Sequence, residues 1–161
     1  MEPDLSKYRL VGDNSGYADA AGVVVPVVTQ AGHEPGSTAQ SDGAARISGV
    51  SPQHTPATRI WFGQVRNEAG YRSVPHHHGE AETGGYVLSG RARIYFGERF
   101  ADYIDMAEGD WVFVPPFMPH VECNLDRNRP LTWMTTRTPE NIVVNLAQVD
   151  DGTLPDWVER P

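Results

Sequence analysis

The sequence predicts an all-β fold in which short antiparallel strands form a barrel or a sandwich. The chain has 16 glycines and 13 prolines among its 161 residues, well above average usage, which is typical of a protein with frequent turns. No stretch shows the sustained apolar period of 3.6 residues that marks a helix, and no internal repeat is present. The length fits one structural domain with a modest core.

Segments with strand-like composition follow one another from residue 58 onward, separated by turn signals such as Glu108-Gly109-Asp110. Each segment is short and rich in β-branched or aromatic residues, which favours strands over helices. We expect strands at residues 58–65, 71–76, 86–89, 91–96, 111–115, 120–124, 131–137 and 142–146.

The first third of the chain has a different composition. Residues 22–29 contain five valines and are predicted to form a strand, which Pro26 places at a sheet edge. Residues 30–56 are crowded with small and polar residues and are predicted to form a long loop or lid, with His33 and His54 as surface histidines. Within one structural domain we therefore expect an N-terminal arm, edge strand and long loop at 1–57, a barrel core at 58–149 and a C-terminal tail at 150–161.

Charge and cysteine content exclude several classes of protein. Thirteen Lys and Arg residues stand against 21 Asp and Glu residues, for a formal net charge of -8, so we expect neither nucleic acid nor an anionic membrane as a partner. The one cysteine, Cys123, cannot form an internal disulfide, which favours a reducing compartment and a cytoplasmic protein. The first 28 residues lack the basic start and continuous apolar stretch of an export signal.

The most informative residues are the consecutive histidines His76, His77 and His78. Because side chains alternate along a strand, His76 and His78 lie on one face and His77 on the other. His120 lies further along the chain, where a closed barrel can bring it opposite this pair. Three neutral imidazoles suit Fe, Ni, Cu, Zn or Co. An exposed histidine tract is the alternative, but the position between strand signals favours a metal site.

The spacing around these histidines resembles the first motif of the cupin superfamily. That motif is a glycine, five residues, His-x-His, three or four residues, a glutamate, six residues and a glycine. Gly70, His76, His78 and Glu82 stand at the matching positions, and the closing glycine, Gly90, arrives one residue late.

The second cupin motif is also matched. It is a glycine, five residues, Pro-x-Gly-x-x-His, three residues and an asparagine. Gly109, Pro115, His120 and Asn124 stand at these positions, and Phe117 stands where the family usually has glycine. The resemblance implies a double-stranded β-helix, the small jelly-roll barrel of the cupins, with a metal ion inside.

Because Gly90 arrives one residue late, two residues are candidates for the glutamate ligand of the first cupin motif. Counting forward from the first histidines places Glu82 at the ligand position, whereas counting back from Gly90 places Thr83 there. A bulge at Gly84-Gly85 would let Glu82 turn inward, giving a site of three histidines and one carboxylate. Without this bulge, the metal has three histidine ligands, and the Thr83 hydroxyl lies outside the ligand shell.

Other candidate residues follow from strand alternation. Glu122 shares the face of His120, and Cys123 faces away as a small buried hydrophobe. Arg72 shares the face of the first histidine pair, where it either binds a substrate carboxylate or forms an ion pair at the barrel rim. Tyr86 is a candidate for the cavity lining or the core. We expect the catalytic groups to come from Glu82, Arg72 and Tyr86.

Three functions are compatible with these residues. The first is a non-haem oxygenase, an activity that the cupin resemblance implies, with Fe(II) as the expected ion and Ni, Mn, Zn, Co or Cu as alternatives. Three or four protein ligands leave positions of an octahedral ion open for a chelating substrate and dioxygen. The second is a redox-neutral isomerase, decarboxylase or lyase, in which a tyrosine or glutamate moves a proton. The third is a binding protein without catalysis.

The expected partners are a small organic substrate and a second copy of the chain. Trp61, Phe62, residues 111–114 and Trp133 are expected to provide an apolar lining that excludes water from the reaction. The resemblance implies a homodimer, because small cupins commonly cover their strand edges by pairing, and the valine-rich segment 23–28 can add a strand to a neighbouring sheet.

Overall fold

The computed structural model describes residues 26–34, 38–41, 43–139, 141–146 and 149, which form antiparallel strands with a turn of 3-10 helix at Glu98–Phe100. The prediction of an all-β fold is confirmed. In chain order the strands are β1 Thr38–Ser41, β2 Ala44–Val50, β3 Trp61–Asn67, β4 His76–His77, β5 Glu82–Ser89, β6 Arg91–Phe96, β7 Asp102–Ala107, β8 Trp111–Val114, β9 Val121–Asn124, β10 Leu131–Thr138 and β11 Val144–Asn145.

These strands form two larger sheets and one short pair. The six-stranded sheet has the order β1-β2-β3-β10-β5-β8, the three-stranded sheet has the order β7-β6-β9, and β11 pairs with β4. The two larger sheets pack against each other through one apolar core, as the jelly-roll barrel requires. Its buried members are Trp61, Val65, Val87, Ala92, Ile94, Met106, Val114, Leu131 and Trp133.

A second buried cluster contains Cys123. It also includes Tyr95, Phe100 and Val121, and Cys123 is only 2% exposed. Its residues from β6 and β9 alternate with those that face the main core, so the cluster covers the other side of the three-stranded sheet. Cys123 is therefore a packed core residue, in agreement with the expectation from strand alternation.

The structure corrects the prediction of a loop over residues 30–56. β1 and β2 lie within that range, and β2 pairs with β3 to extend the six-stranded sheet. The buried positions of β2 include Ala44 and Arg46. A small residue and a charged residue do not give the apolar alternation that predicts a strand. The sequence pattern therefore missed this hairpin.

The two histidines of the predicted lid have structural explanations instead. His54 lies in the turn after β2, where its ring nitrogens are 3.0 Å from the Ser51 hydroxyl and 3.0 Å from the Gly49 carbonyl oxygen. His33 is exposed. Neither belongs to the histidine cluster described below, so the structure gives no support for a histidine-bearing lid.

The predictions at the two chain ends are only partly covered by the structure. Residues 26–29 of the expected strand 22–29 are described and are not in a strand, whereas residues 22–25 and the tail 150–161 lie outside the described residues. The homodimer stays a prediction. In the part of the chain that the structure describes, no helix has the length and apolar character needed to cross a membrane.

A row of small residues crosses the six-stranded sheet on its inner face. Thr135 of β10 pairs with Gly63 of β3 on one side and with Gly85 of β5 on the other. Because these glycines carry no side chains, the row fills less space than the rows of larger residues beside it. A small cavity lies at this level, with Gly85 and Thr135 in its wall.

We predict that the small row is needed for close strand packing. A Cβ atom at Gly63 would press against the Ile47 carbonyl oxygen and lie 2.7 Å from the Trp61 ring. Gly63→Ala should therefore lower the free energy of unfolding by about 2 kcal/mol, measured by urea unfolding. In the control Gly49→Ala, the nearest contact of the new Cβ atom is an ordinary 3.5 Å. A Gly63→Ala protein as stable as the Gly49→Ala control would contradict the prediction.

Candidate metal centre

The first feature of the site is a backbone bridge between His76 and His120. The amide of His76 donates to the carbonyl of His120 at 3.1 Å, and the amide of His120 donates to the carbonyl of His76 at 2.9 Å. Directly opposed residues of this kind carry neighbouring side chains on the same face. The two ring centroids are consequently 4.3 Å apart.

His78 joins this pair from two positions further along the chain. Its ring centroid is 5.1 Å from that of His76 and 5.0 Å from that of His120. Its Nδ1 is 2.9 Å from the carbonyl oxygen of Ile142, so the segment before β11 fixes the orientation of the ring. His77 points elsewhere, with its Nδ1 accepting a hydrogen bond from the Gly79 amide.

The hydrogen bonds of the three rings define their tautomers. Nδ1 of His76 lies 2.9 Å from the Val74 carbonyl oxygen, and Nδ1 of His120 lies 2.8 Å from the Met118 carbonyl oxygen; His78 has the equivalent bond described above. A carbonyl oxygen only accepts, so Nδ1 carries the proton in each ring and Nε2 keeps its lone pair. Nε2 of His76 and Nε2 of His120 are buried and have no hydrogen-bond partner.

Glu122 of β9 adds a carboxylate to the cluster. The ligand atoms of His76, His78, His120 and Glu122 all lie within 4.8 Å of one another, and one carboxylate oxygen is 3.7 Å from Nε2 of His120. Three imidazole nitrogens, two of them without a hydrogen-bond partner, and one carboxylate form a donor set suited to a divalent transition metal. A bound cation would satisfy the buried acceptors that have no hydrogen-bond partner. The four residues therefore fit a divalent metal ion.

Burial and neighbouring groups keep His76, His78 and Glu122 in the protonation states that bind metal. It lowers the pKa of His76 to about 4 and, together with the positive charge of Arg137, lowers the pKa of His78 to about 2. Burial alone would raise the pKa of Glu122, but interactions with His120 and the other two histidines hold that pKa well below its ordinary value. At neutral pH His76 and His78 are therefore neutral imidazoles and Glu122 is an ionised carboxylate.

The structure corrects the expectation that Glu82 turns inward. β5 keeps an unbroken register with β8 and β10 from Thr83 to Tyr86, so the expected bulge at Gly84-Gly85 is absent. The register shift lies instead at Leu88, which has no partner on β10. Alternation along β5 then leaves Glu82 exposed and Thr83 buried, and Glu82 is outside the four-residue cluster.

Two further candidates also lie away from the cluster. Tyr86 is on the outward side of β5, where its ring centroid is 4.4 Å from that of Trp111, and the Trp111 side chain is 78% exposed. Arg72 is half-buried, and it does not line either of the two cavities that reach the cluster. The structure therefore does not place Tyr86 or Arg72 in a catalytic position.

The main cavity beside the cluster has a polar side and an apolar side. Its polar lining consists of Arg46, Thr83, Glu122, Thr135 and Arg137. Its larger apolar side chains are Val65, Ile94, Val112, Val114 and Trp133. Of the aromatic residues expected to line the interior, Trp133 does so, whereas Phe62 and Phe113 are exposed on the outer surface.

Arg137 is a functional candidate that the sequence did not single out, whereas Thr83, the alternative to Glu82 in the first motif, is buried and lines the main cavity. Arg137 is 2% exposed, and its Nη2 lies 3.3 Å from Nε2 of His78. Burial lowers the pKa of Arg137 to about 10, with Glu122 opposing this effect and Arg46 adding to it. The signal for Arg137 was its inward parity with Trp133 and Thr135 along β10, since an inward arginine in a core strand needs a partner.

Phe117 shows how the departure from the second motif is accommodated. Its φ angle is +57°, in the left-handed region that glycine adopts most easily. Its amide donates to the Gly79 carbonyl at 2.7 Å, so this turn is tied to the loop after His78. Phenylalanine thus keeps the backbone conformation that glycine favours at this position.

The fold and the cluster together define a β-barrel protein with a metal-binding interior. Residues 64–136 match the family model described as Cupin domain, and this part of the chain is a cupin domain. No curated protein matches the sequence significantly.

Three solved structures illustrate the proteins that share this fold. A variant of the oxalate decarboxylase OxdC from Bacillus subtilis is 24% identical with a TM-score of 0.59, over 68% of this chain and 30% of that chain. KdgF from Halomonas sp. is 17% identical with a TM-score of 0.54, and the match covers 68% of this chain and 90% of KdgF. An RmlC-like cupin from Shewanella frigidimarina is 14% identical with a TM-score of 0.57, and the match covers 72% of this chain and 93% of that protein. These likenesses show the fold alone.

Glu122, and not Glu82, should supply the carboxylate that binds the metal. We predict that Glu122→Gln weakens divalent metal binding at least tenfold, because the amide loses the negative charge of the ligand. Glu82→Gln makes the same chemical change at an exposed position and should leave the affinity unchanged. Competition with a chelator, followed by metal analysis of the protein, measures both affinities. The assignment is wrong if Glu82→Gln has the larger effect.

The lowered pKa of His76 predicts how pH affects the stability of the metal-free protein. Below about pH 6.5 the unfolded chain takes up a proton at this residue, whereas the folded protein does not until about pH 4. Stability should therefore fall as the pH drops from 6.5 to 4, with His76 alone contributing a loss of about 2 kcal/mol at pH 5.

Urea unfolding of metal-free protein at pH 7 and pH 5 tests this prediction. His76→Gln should remove part of the loss, because glutamine does not titrate. His33→Gln changes an exposed histidine and should keep the pH dependence of the parent protein. Equal pH dependence in all three proteins would contradict the predicted role of burial at His76.

Proposed function

We propose that this cupin is a metal-dependent enzyme and that its reaction is the oxygenation of a small organic substrate, with Fe(II) as the ion. The observation that carries the proposal is the arrangement of the four donors. The three histidines and Glu122 gather on one wall of the barrel, and Glu122 and Arg137 connect this wall to the main cavity. Four protein ligands leave two positions of an octahedral ion free.

A bound Fe(II) ion would supply the redox chemistry that activates dioxygen. The chain's own residues have separate tasks. The carbonyl groups of Val74, Met118 and Ile142 hold the three rings in the tautomer that presents Nε2. The apolar wall of the cavity, which includes Val114 and Trp133, excludes bulk water from the reacting groups.

A redox-neutral reaction is the second candidate, and Thr83 is the observation that favours it. Its hydroxyl is buried without a hydrogen-bond partner, and both Thr83 and Glu122 line the main cavity. A hydroxyl and a carboxylate that face one space can hold and move a proton. OxdC is named as an oxalate decarboxylase, and Mn(II) centres are described for it. Decarboxylation with Mn(II) is therefore the form of this alternative that the comparisons support.

Labelled dioxygen distinguishes the two reactions. Protein loaded with Fe(II) or Mn(II) would be screened against small aromatic acids and hydroxy acids, with and without oxygen. We predict oxygen-dependent turnover with label from ¹⁸O₂ in the product. His120→Ala should abolish turnover, because it removes one ligand, and His77→Ala should keep it. Turnover that persists without oxygen and places no label in the product would reject the oxygenase and support the redox-neutral reaction.

A further inference from the structure

Two buried arginines line the main cavity from opposite sides of one strand. Arg46 of β2 pairs with Val65 of β3, and Arg137 of β10 pairs with Trp61 at the other end of β3. Arg46 is 4% exposed and Arg137 is 2% exposed. Arginine is seldom buried to this extent unless its charge is paired. The surroundings of both guanidinium groups therefore need an explanation.

Several of the guanidinium nitrogens have no acceptor within the described part of the chain. Nε and Nη1 of Arg46 and Nε of Arg137 are buried without a hydrogen-bond partner. Nη1 of Arg137 donates to the side-chain oxygen of Asn141. Leaving a buried charged donor unpaired is costly, so a ligand with acceptor oxygens would be bound favourably here.

The charges around the cavity also favour an anion. Its lining contains two arginines and one carboxylate, that of Glu122. A divalent ion held by the cluster would add two further positive charges. A low-dielectric space with this excess of positive charge attracts a compensating negative ligand.

Metal binding would free one more donor. Nη2 of Arg137 is paired with Nε2 of His78 at 3.3 Å. Because Nδ1 of His78 is bonded to the Ile142 carbonyl oxygen, Nε2 is also the nitrogen that His78 can offer to a metal. One lone pair cannot serve both partners. When a metal occupies it, Nη2 of Arg137 needs a new acceptor, and an anionic ligand beside the ion provides one.

We propose that Arg46 and Arg137 form a carboxylate-binding subsite and that the substrate of this cupin is a small carboxylate anion held between the two guanidinium groups and the metal. The inference rests on the proposed metal-dependent function. A planar carboxylate matches the donor fork of a guanidinium group. The unpartnered Thr83 hydroxyl offers one more donor in the same cavity.

Calorimetric titration of metal-loaded protein with malonate tests the subsite, with the metal content checked before and after. Malonamide has the same shape without the charge, and inorganic phosphate is the tetrahedral comparison. We expect malonate to bind at least tenfold more tightly than either of them. Equal affinity for malonamide, or tighter binding of phosphate, would overturn the proposal.

Variants of Arg46 and Arg137 show whether malonate binds at these two residues. Arg46→Gln and Arg137→Gln should each weaken malonate binding at least tenfold while the protein keeps its metal. Arg129→Gln removes the same charge from an exposed side chain and should leave the affinity unchanged. Thr83→Val, a nearly isosteric change, should weaken malonate binding severalfold and serves if an arginine variant fails to fold. Unchanged affinity in every variant that folds would overturn the proposal.

The titration separates this inference from the proposed reaction. Loss of malonate binding in the arginine variants supports the subsite whether or not turnover depends on oxygen. If wild-type protein shows oxygen-dependent turnover but binds malonate no better than malonamide, the oxygenase stands and the carboxylate subsite is rejected.

Discussion

The hydrogen bonds from Nδ1 of His76, His78 and His120 to backbone carbonyl oxygens are the constraint on which the site depends. The three acceptors belong to Val74, Ile142 and Met118, so three separate segments fix the rings. Each bond sets a tautomer and directs Nε2 toward the common centre. A buried imidazole with its lone pair unpaired is unfavourable in the metal-free protein. The fold therefore holds a group of acceptors that a cation would satisfy.

The strands of the barrel position the three histidine hydrogen bonds and leave a cavity beside the histidines. The His76 to His120 bridge joins the two motifs through backbone contacts that depend on no side chain. Across the cavity, the row of Gly63, Thr135 and Gly85 keeps the inner surface of the large sheet open. Arg46 and Arg137 lie in neighbouring rows of this sheet, where larger side chains reach the cavity. The two arginines, the Glu122 carboxylate and the small residues Gly85 and Thr135 consequently line the same cavity.

The sequence predicted the histidine pairing because its causes are local. Alternation along a strand is enough to separate His77 from His76 and His78, and the two motifs place His120 relative to them. The carboxylate was harder to predict, because the face of Glu82 depends on where β5 absorbs one extra residue. The shift at Leu88 is set by pairing with β10, a long-range contact that spacing does not reveal. Alternation did place Glu122 beside His120, but its role as a donor depends on the closed barrel.

The arginines were missed for a different physical reason. Arg46 lies in a strand whose composition resembles a loop, and Arg137 is the last residue of the predicted strand 131–137, where a charged side chain is compatible with an exposed strand end. Alternation along β10 can place Arg137 on the inner face, but the groups around a buried arginine come from strands that are distant in the sequence. The order β2-β3-β10 brings both guanidinium groups to the same cavity. Such sites require the three-dimensional structure.

The central claim is that three histidines and Glu122 bind one metal ion through Nε2 atoms and a carboxylate oxygen. A crystal structure of the metal-loaded protein, with anomalous diffraction recorded at the absorption edge of the metal, tests it most directly. We predict one strong anomalous peak at about 2.0 to 2.3 Å from the four donor atoms, with Arg137 turned away from His78. A metal bound by Glu82, or bound by the histidines through Nδ1, would contradict it.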